Sequence, residues 1–303
     1  MTTKIYMTKI VFFGTQEFAK GILESLLNDS DFEVVGVFTQ PDKPVGRKQE
    51  IQMSPVKILA LEKNIPIFQP ESLKNYEMPN LGADLNIVCQ YGLIIPQTVL
   101  DSAKHGSINI HTSLLPKYRG ASPIQSAILN GEKETGTTIM LMDSKMDHGP
   151  ILMQEKITID PDDTYLTLSD KMLPTASTLL LNTIKDYLKG IVKPQEQDHD
   201  KAILCKMFTR EDGKIDFNKS AQEIYNQFRG FYVWPGVFTF FGDKRVKLLN
   251  IKPVEKKSEP GKFITENGRL FIGCADGAIE IFKLQPEGKN PMTAEAFVNG
   301  YIK

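Results

Sequence analysis

Cysteine is scarce in this chain, and its spacing excludes two kinds of site. The 303 residues include three cysteines, Cys89, Cys205 and Cys274, which lie far apart and form no CxxC pair. A disulfide framework or a structural zinc site needs closely spaced cysteines, so the sequence predicts neither. With no disulfide pattern, the expected compartment is the cytoplasm.

Long apolar runs are missing as well. No stretch approaches the ~20 consecutive apolar residues that a membrane-spanning helix requires, so no membrane association is expected. The first residues, MTTKIYM, lack the apolar core of a secretory signal, and no secretion is expected. Hydrophobic residues make up 41% and charged residues 24% of the chain, as in ordinary globular proteins.

Neither sign of charge dominates, since the formal net charge is -1. Its distribution is uneven, however. From Phe208 onward, 15 lysines and arginines stand against 12 aspartates and glutamates, a net +3, whereas the remainder of the chain nets -4. This mild basic bias favours a polyanionic partner for the C-terminal part.

The first turn of the chain lacks the glycine pattern of a dinucleotide site. TKIVFFG has the pattern of a buried strand, QEFAKGILESLLN that of a helix and FEVVGVFT that of a second strand. The turn between them, GTQEF, has no GxGxxG, which a bound pyrophosphate would need for close approach to the helix. Strands and helices go on alternating through IPIF, ADLNIVCQ and SINIH. The pattern predicts an α/β, Rossmann-like domain with a mostly parallel sheet.

The domain organisation follows from a change in pattern along the chain. Residues 1–190 are assigned to the Rossmann-like domain, which ends in a long helical stretch that Pro174 should kink or break. Residues 191–207 lose apolar periodicity and are predicted to be a linker. Residues 208–303 combine a helix with five short strands separated by turn residues, which predicts an OB-like β-barrel domain.

A long basic loop is predicted near the N-terminus. Residues 40–57, QPDKPVGRKQEIQMSPVK, greatly exceed the ~2 to 6 residues usual for a strand-to-helix connection. Lys43, Arg47 and Lys48 place cations at its tip. It is either a solvated loop or a finger that reaches a phosphate backbone, and its length together with its charge favours the finger.

Two polar side chains lie where SINIH, residues 107–111, runs into SLLPKYRGASP. Asn109 and His111 are two residues apart, so they project from the same side of the predicted strand. Prolines and a glycine then end the strand, and ligands of open α/β sheets bind beyond the carboxyl ends of the strands. Each residue could be a satisfied structural group, but a polar pair on an apolar strand favours a site.

A second polar turn follows. TGTTIMLMD and GPILMQEKITI are strand-like runs, and the SKMDH between them is short enough for a hairpin-type turn. Asp143, Asp147 and His148 lie in or beside it. A turn aspartate often bonds only its own backbone, so the residues alone leave a structural and a functional interpretation open.

These motifs together resemble a known family. NIHTSLLPKYRG resembles the hallmark of the 10-formyltetrahydrofolate-dependent formyltransferases, Asn-x-His followed by Ser-Leu-Leu-Pro-x-x-Arg-Gly. FFGTQEFA, SPVK, YGLIIP, MDSKMDHG, KIDF, WPG and LQPEGKNPMTAEAFVNG are similar, in order, to the methionyl-tRNA formyltransferase family, from about Thr8 to Tyr301. The resemblance implies transfer of the formyl group of 10-formyltetrahydrofolate to the amino group of methionine on initiator tRNA, for translation initiation.

The resemblance also implies that Asn109, His111 and Asp147 are catalytic. Donors from Asn109 and protonated His111 would stabilise the oxyanion that forms as the amine attacks, and Asp147 would favour the imidazolium and share in proton transfer. No metal is expected, because His111 and Asp147 lack a third ligand. His148 stands where the family has Thr or another small residue, and no role is assigned to it.

Binding residues are implied in the same way. The folate-binding set comes from three segments and comprises Cys89, Gln90, Tyr91, Gly92, Leu93, Ser113, Leu114, Leu115, Pro116 and Asp143. The tRNA-binding set is basic and comprises Lys43, Arg47, Lys48, Lys206 and Arg210. The family often has arginine at the position of Lys43, and lysine cannot make the same bidentate contact, so weaker base reading is expected there. The protein is expected to act as a monomer on initiator Met-tRNA and folate.

Two other functions stay open. One is formylation of a small amine, such as a sugar nucleotide or a purine precursor, by the same residues. Glycinamide ribonucleotide formyltransferases share the Asn-His-Asp core but resemble only the first domain, so the basic loop and the C-terminal domain argue against this function. The other is a nucleic-acid-binding or folate-binding protein without turnover, against which the intact Asn109, His111 and Asp147 argue.

Overall fold

The computed structural model describes residues 7–45 and 50–302. Arg47 and Lys48 of the predicted basic loop lie outside the described residues. The described part of the chain divides into two compact units. Unit 1 comprises the described residues of Met1–Pro123, Thr135–Thr158 and Ser169–Cys205, and unit 2 comprises those of Ile124–Glu134, Ile159–Leu168 and Lys206–Lys303.

Strands and helices alternate in the first half of the chain, and strands dominate the last third. The strands are β1 (Thr8–Gly14), β2 (Phe32–Phe38), β3 (Lys43–Val45), β4 (Glu50–Gln52), β5 (Ile67–Phe68), β6 (Leu85–Cys89), β7 (Ser107–His111), β8 (Arg119–Gly120), β9 (Glu134–Leu141), β10 (Ile151–Thr158), β11 (Leu204–Cys205), β12 (Val237–Phe241), β13 (Lys244–Val254), β14 (Phe263–Glu266), β15 (Arg269–Gly273), β16 (Ala278–Pro286) and β17 (Met292–Thr293). The helices are α1 (Glu17–Leu27), α2 (Pro55–Glu62), α3 (Gln97–Leu100), α4 (Pro123–Leu129), α5 (Tyr165–Leu188), α6 (Ala221–Gly230) and α7 (Ala294–Tyr301), and 3-10 turns lie at His199–Lys201 and Glu211–Gly213.

The central sheet of unit 1 has the strand order β10-β9-β7-β6-β1-β2-β5. The strands from β7 to β5 in that order run parallel to one another, and β9 pairs antiparallel with β7. β6 and β7 are buried along their whole length, as expected of parallel strands with both faces covered. The predicted α/β fold with a mostly parallel sheet is confirmed.

The order of the parallel strands places a crevice at their carboxyl ends. The chain moves from β1 to β2 on one side of β1, whereas β6 and β7 follow on its other side. In register, Gly14 of β1 pairs with Cys89 of β6, and Val88 of β6 pairs with Asn109 of β7. The segments that leave β1, β6 and β7 therefore start side by side, at the edge where open α/β sheets bind ligands.

The segment predicted as a linker packs within unit 1 as far as Cys205. Gln195 and Ile151 exchange two backbone hydrogen bonds of 2.7 and 2.8 Å, and β11 pairs parallel with β8. Gln197 is buried. The segment is held by backbone pairing and polar contacts, which a search for apolar periodicity does not detect. The domain bounds drawn from the sequence stay a prediction.

Unit 2 contains an antiparallel sheet with the order β12-β13-β16-β15-β14, and β17 pairs with β16. The prediction of a second, β-rich C-terminal domain is confirmed. Closure of the sheet into an OB-like barrel stays a prediction.

Two segments from the first two-thirds of the chain, residues 124–134 and 159–168, belong to unit 2. Buried Arg229 of α6 donates to the backbone oxygen of Asp163 at 2.7 Å. The Tyr225 hydroxyl donates to Asp162 Oδ1 at 2.7 Å. These contacts bridge more than 60 positions of sequence, so no local pattern could have predicted them.

Helix ends follow local signals in the sequence. α2 begins after Ser54, whose Oγ accepts from the Lys57 backbone N–H at 3.0 Å, and α6 begins with a capping box formed by Ser220 and Glu223. Serine is a preferred residue at the position before a helix, because its hydroxyl accepts from a free backbone N–H of the first turn. α5 continues through Pro174, so the proline does not break the helix. Within residues 7–45 and 50–302, no helix combines the length and the apolar character needed to cross a bilayer.

Candidate active site

Asn109 and His111 lie on the internal strand β7, which pairs with β6 on one side and β9 on the other. Their side chains are nearly buried, with exposed fractions of 8% and 5%. Because side chains alternate along a strand, both project from the same face of the sheet. Sheet pairing on both sides therefore fixes the backbone from which the amide and the imidazole project.

Asp147 reaches the same place from the connection between β9 and β10. Its Oδ1 accepts from Asn109 Nδ2 at 3.3 Å and lies 3.6 Å from His111 Nδ1. Its Oδ2 accepts from the Gly120 backbone N–H at 2.8 Å. The structure thus brings together the amide, the imidazole and the carboxylate that the sequence singled out, although they come from positions up to 38 residues apart.

The hydrogen bonding of His111 identifies which nitrogen carries a proton. His111 Nε2 lies 2.9 Å from the carbonyl oxygen of Tyr118. A carbonyl oxygen can only accept, so Nε2 must be the donor. The remaining nitrogen, Nδ1, faces Asp147. In this arrangement Nδ1 is the ring atom available for exchange of a proton in the site.

The segment after β7, predicted to bind folate, is held by its own hydrogen bonds. Ser113 Oγ donates to the Lys117 carbonyl at 2.6 Å. Thr138 of β9 donates from Oγ1 to the Ser113 carbonyl at 2.6 Å and accepts from the Leu115 N–H at 3.1 Å. Gln154 of β10 donates to the Leu115 carbonyl at 2.9 Å. These hydrogen bonds therefore constrain the backbone of residues 113–116, which directly follow His111 and Thr112.

The second predicted folate segment, residues 89–93, leaves the carboxyl end of the neighbouring strand β6. The Tyr91 carbonyl accepts from Thr15 Oγ1 and from Gln40 Nε2, each at 2.9 Å. Gly92 has a φ of +80°, a backbone conformation that residues with a side chain rarely adopt, which favours glycine there. Burial raises the pKa of both the Cys89 thiol and the Tyr91 hydroxyl, which keeps these groups neutral.

Asp143, the third part of the predicted folate-binding set, interacts with residues of its own loop. Its Oδ2 lies 2.7 Å from His148 Nδ1, and its Oδ1 accepts from the Lys145 N–H at 2.9 Å. The His148 ring stacks on the ring of His199, with centroids 4.1 Å apart and planes 5° apart. His148, to which the sequence assigned no role, therefore orders the turn that carries Asp147.

Three contributors to the site were not predicted. The backbone of Tyr118 and Gly120 contacts His111 and Asp147, and the side chain of Gln197 donates to the Asp147 carbonyl at 3.0 Å. Gly120 belongs to the Arg-Gly of the hallmark motif and Tyr118 directly precedes it, but contacts made through the backbone leave no side-chain signature in a sequence. No signal in the sequence marked Gln197.

The basic residues predicted to bind tRNA differ in their surroundings. Lys43 is exposed on β3, and its Nζ donates to Gln40 Oε1. In unit 2, exposed Lys206 forms an ion pair with Asp212, and Arg210 is exposed. Lys206 also lies over the ring of Phe208, 5.6 Å from its centroid. Among residues 7–45 and 50–302, no cluster of three or more His, Cys, Asp or Glu could hold a metal ion.

Comparison with known families matches both parts of the chain. The family described as "Formyl transferase" matches residues 8–184, and the family described as "Formyl transferase, C-terminal domain" matches residues 207–302. Together they cover the sheet of unit 1 with its candidate active site, and the antiparallel sheet of unit 2.

Solved structures share this fold. An N-formyltransferase from Helicobacter canadensis, in complex with folinic acid and dTDP-3-aminofucose, has a TM-score of 0.67 at 23% identity, over 91% of this chain and 99% of that chain. HypX from Aquifex aeolicus in complex with tetrahydrofolic acid has a TM-score of 0.67 at 17% identity, over 98% of this chain and 48% of that chain. At these identities the likeness concerns the fold alone.

Sequence relatives are much more similar. The methionyl-tRNA formyltransferase of Thermodesulfovibrio yellowstonii is 41% identical over 96% of this chain and 95% of its own length. That of Acidobacterium capsulatum is 42% identical over 96% of each chain. Agreement over nearly the full length covers both units and the basic segments. The chain therefore belongs to the formyl transferase family, and within it to the methionyl-tRNA formyltransferases.

Proposed function

We propose that this protein transfers the formyl group of 10-formyltetrahydrofolate to the amino group of methionine esterified to initiator tRNA, for translation initiation. The observation that carries the proposal is the convergence of Asn109, His111 and Asp147 at the end of β7, in a chain about two-fifths identical to methionyl-tRNA formyltransferases over nearly its full length.

The chemistry requires stabilisation of negative charge on one oxygen. When the amine attacks the formyl carbon, the carbonyl oxygen becomes an oxyanion, which fixed donors stabilise. Asn109 Nδ2 and the protonated Nδ1 of His111 supply such donors. Both lie within 3.6 Å of Asp147 Oδ1, so the three groups act on the same small volume.

The protons balance within the site. The attacking nitrogen loses one proton as its bond to the formyl carbon forms, and N10 of the folate gains one as its bond to that carbon breaks. Asp147 and His111 Nδ1, 3.6 Å apart, form the acid-base pair that carries the proton. Gly120 holds the second carboxylate oxygen, so the carboxylate keeps its orientation while Oδ1 exchanges the proton.

The folate is assigned to the crevice at the carboxyl ends of β6 and β7. Residues 113–116 and 89–93 leave these adjacent strands, and their backbone is constrained by the hydrogen bonds described above. Asp143 lies in the turn that carries Asp147. A constrained backbone and mostly uncharged side chains in these segments suit the flat pterin ring, since pockets for small ligands are largely preformed.

The tRNA is assigned to the basic residues. Lys43 with Arg47 and Lys48 belongs to the basic loop of the N-terminal part, and Lys206 and Arg210 stand at the start of the C-terminal part. Their cations neutralise phosphates. The protein works in the cytoplasm, where initiator tRNA is charged, and as a monomer.

The test is formylation by the purified chain. It is incubated with 10-formyltetrahydrofolate and Met-tRNA, and the esterified methionine is analysed by mass spectrometry for the added formyl group. Initiator Met-tRNA should be formylated faster than elongator Met-tRNA. Formylation of a small amine or an amino sugar nucleotide, with charged tRNA left unchanged, would overturn the proposal, and so would folate binding without turnover of any amine.

A further inference from the structure

The side-chain amide of Gln197 connects the loop of Asp147 to β8. Its Nε2 donates to the backbone carbonyls of Asp147 and Gly149, at 3.0 and 2.7 Å. Its Oε1 accepts from Nε and Nη2 of Arg119, at 3.1 and 2.7 Å. Gln197 and Arg119 are 5% and 6% exposed. Two buried side chains thus connect the turn after β9 with the loop after β7.

The partners dictate the orientation of this amide. A guanidinium can only donate and a backbone carbonyl can only accept, so the amide oxygen must face Arg119 and the amide nitrogen must face the loop. Both N–H groups of Gln197 are therefore used on the loop that carries Asp147. The bonds from Arg119 are charge-assisted, which makes them stronger than neutral hydrogen bonds and fixes Gln197 in place.

The loop needs such support, because Asp147 has a φ of +49°. A non-glycine residue persists in the left-handed region where its surroundings hold it there. Gly120, the neighbour of Arg119 on β8, donates its N–H to Asp147 Oδ2 at 2.8 Å. β8 therefore acts on Asp147 twice, directly on its carboxylate through Gly120 and indirectly on its backbone through Arg119 and Gln197.

The other end of this connection is also fixed. The Arg119 N–H donates to the Ile203 carbonyl at 2.8 Å, and Arg119 Nη2 donates to His199 Nδ1 at 2.8 Å, so that nitrogen of His199 carries no proton. Gln197, His199 and Ile203 belong to one stretch of chain. That stretch, predicted to be a linker, therefore contacts β8 through Arg119.

We propose that Gln197 and Arg119 are positioning residues for formyl transfer, which hold the Asp147 backbone so that its carboxylate faces His111 Nδ1. The inference rests on the proposed function for the identity of the reaction, but the position of Asp147 can be measured without turnover. Because a misplacement of about 1 Å in a catalytic group can cost ~10²-fold in rate, loss of this support should appear in kcat.

The first measurement compares variants at Gln197 under saturating Met-tRNA and 10-formyltetrahydrofolate. Gln197→Ala removes all four hydrogen bonds. Gln197→Glu keeps the shape and the acceptor for Arg119 but turns a carboxylate oxygen toward two carbonyl oxygens. Both should lower kcat about 10- to 100-fold with each KM changed less than about threefold. Gln195→Ala, in the same stretch, is the matched control, since exposed Gln195 pairs with Ile151 through its backbone.

A conservative variant of the arginine separates charge from geometry. Arg119→Lys keeps the positive charge but cannot offer two parallel N–H groups to Gln197 Oε1. Arg119→Lys should lower kcat, as Gln197→Ala does. The double variant Arg119→Lys/Gln197→Ala should have a kcat no lower than that of the more impaired single variant, because Arg119 acts on Asp147 through Gln197.

The second measurement reads the position of Asp147 directly. The amide proton of Gly120 donates to Asp147 Oδ2, so its NMR resonance reports that bond. In Gln197→Ala the resonance should move toward its position in Asp147→Ala, where the acceptor is gone. Melting curves show whether each variant is folded, and only folded variants are compared.

The outcomes separate the inference from the proposed function. A folded Gln197→Ala with wild-type kcat and an unmoved Gly120 resonance would overturn the inference, and a kcat loss explained wholly by a smaller folded fraction would do the same. If the wild-type chain formylates no Met-tRNA, the proposed function fails. The Gly120 resonance then still decides whether Gln197 positions Asp147.

Discussion

His111 and Tyr118 are joined by a hydrogen bond of 2.9 Å from the imidazole Nε2 to the backbone carbonyl. This bond determines the tautomer of the ring, because the carbonyl can only accept. Nδ1 is left facing Asp147 Oδ1 at 3.6 Å, a separation longer than a hydrogen bond.

Replacing His111 by alanine should abolish most turnover while leaving the fold intact. The ring supplies a donor to the oxyanion and one half of the acid-base pair, and removal of a single such donor alone costs ~10²- to 10³-fold in rate. Formylation rates and a melting curve test this. His105→Ala, in a histidine outside the site, should retain normal activity, and near-normal activity of His111→Ala would remove that residue from the mechanism.

Replacing Asn109 by alanine should lower kcat by ~10²- to 10³-fold, because the amide is the second proposed oxyanion donor. KM for Met-tRNA should stay nearly constant, since the tRNA is assigned to other residues. Steady-state kinetics with both substrates provide the measurement. A variant impaired only in KM would show that Asn109 binds substrate rather than stabilising the transition state.

Lys43 should contribute a phosphate contact that depends on salt. Lys43→Ala should weaken tRNA binding and reduce the slope of log affinity against log salt by about 1. Lys63→Ala, in another exposed lysine of unit 1, is the control. Lys43→Arg should bind at least as tightly and should favour initiator over elongator tRNA more strongly, because arginine can make a bidentate contact. If the wild type and Lys43→Arg preferred initiator over elongator tRNA to the same degree, this prediction would be contradicted.

Asp212 should make stability depend on pH below about 4. Its pKa is lowered from 3.8 to about 2, first by the hydrogen bond with Lys206 and next by the Thr209 backbone N–H. A lowered folded-state pKa means that the ionised group stabilises the fold fully above its unfolded value, and that this stabilisation is lost as pH falls from about 4 to 2. Asp212→Asn should therefore lose less stability than the wild type between pH 5 and pH 2.5.

The expected difference is about 1 kcal/mol, because solvent around the exposed Lys206 weakens the ion pair below what the pKa shift alone would give. Urea unfolding at several pH values measures it. Parallel pH profiles of the two proteins would show that Asp212 is equally acidic in the folded and unfolded states.

The thiols should react at very different rates. Burial raises the pKa of Cys274 to about 11, with a further contribution from the charge of Asp276, so about one thiol in a thousand is ionised at pH 8. Burial also raises the pKa of Cys89. A thiol reagent at pH 8 should modify half-buried Cys205 first and the other two after denaturation. Rapid modification of three thiols in the folded protein would contradict this.

Local signals in the sequence predicted much of the fold. Short strand-like runs predicted the strands that became β1, β2, β6 and β7. Ser54 and Ser220 precede helices α2 and α6, where a serine hydroxyl caps free N–H groups. Of the two effects predicted for Pro174, a kink or a break, the break does not occur, since helix α5 continues through the proline.

The sequence likewise predicted some residues of the candidate site and not others. Asn109 and His111 were predicted together because a strand places alternate side chains on one face, and Asp147 was identified through its motif. The sequence did not predict a role for Gln197, because that role depends on a hydrogen bond to a backbone carbonyl 50 positions away. The role of His148 was not predicted for a similar reason, because its stacking partner, His199, is distant in the sequence.

The sequence by itself determined that this chain is an α/β protein with a β-rich C-terminal part, and that it carries the residues of a formyltransferase. Composition, periodicity and motif spelling are local properties, and each can be read without knowing which segments meet. The tertiary structure decided where residues 191–205 pack, which nitrogen of His111 faces Asp147, and which residues hold that carboxylate. Those features depend on hydrogen bonds between groups that are not neighbours in the sequence, and only folding brings such groups within about 3 Å of one another.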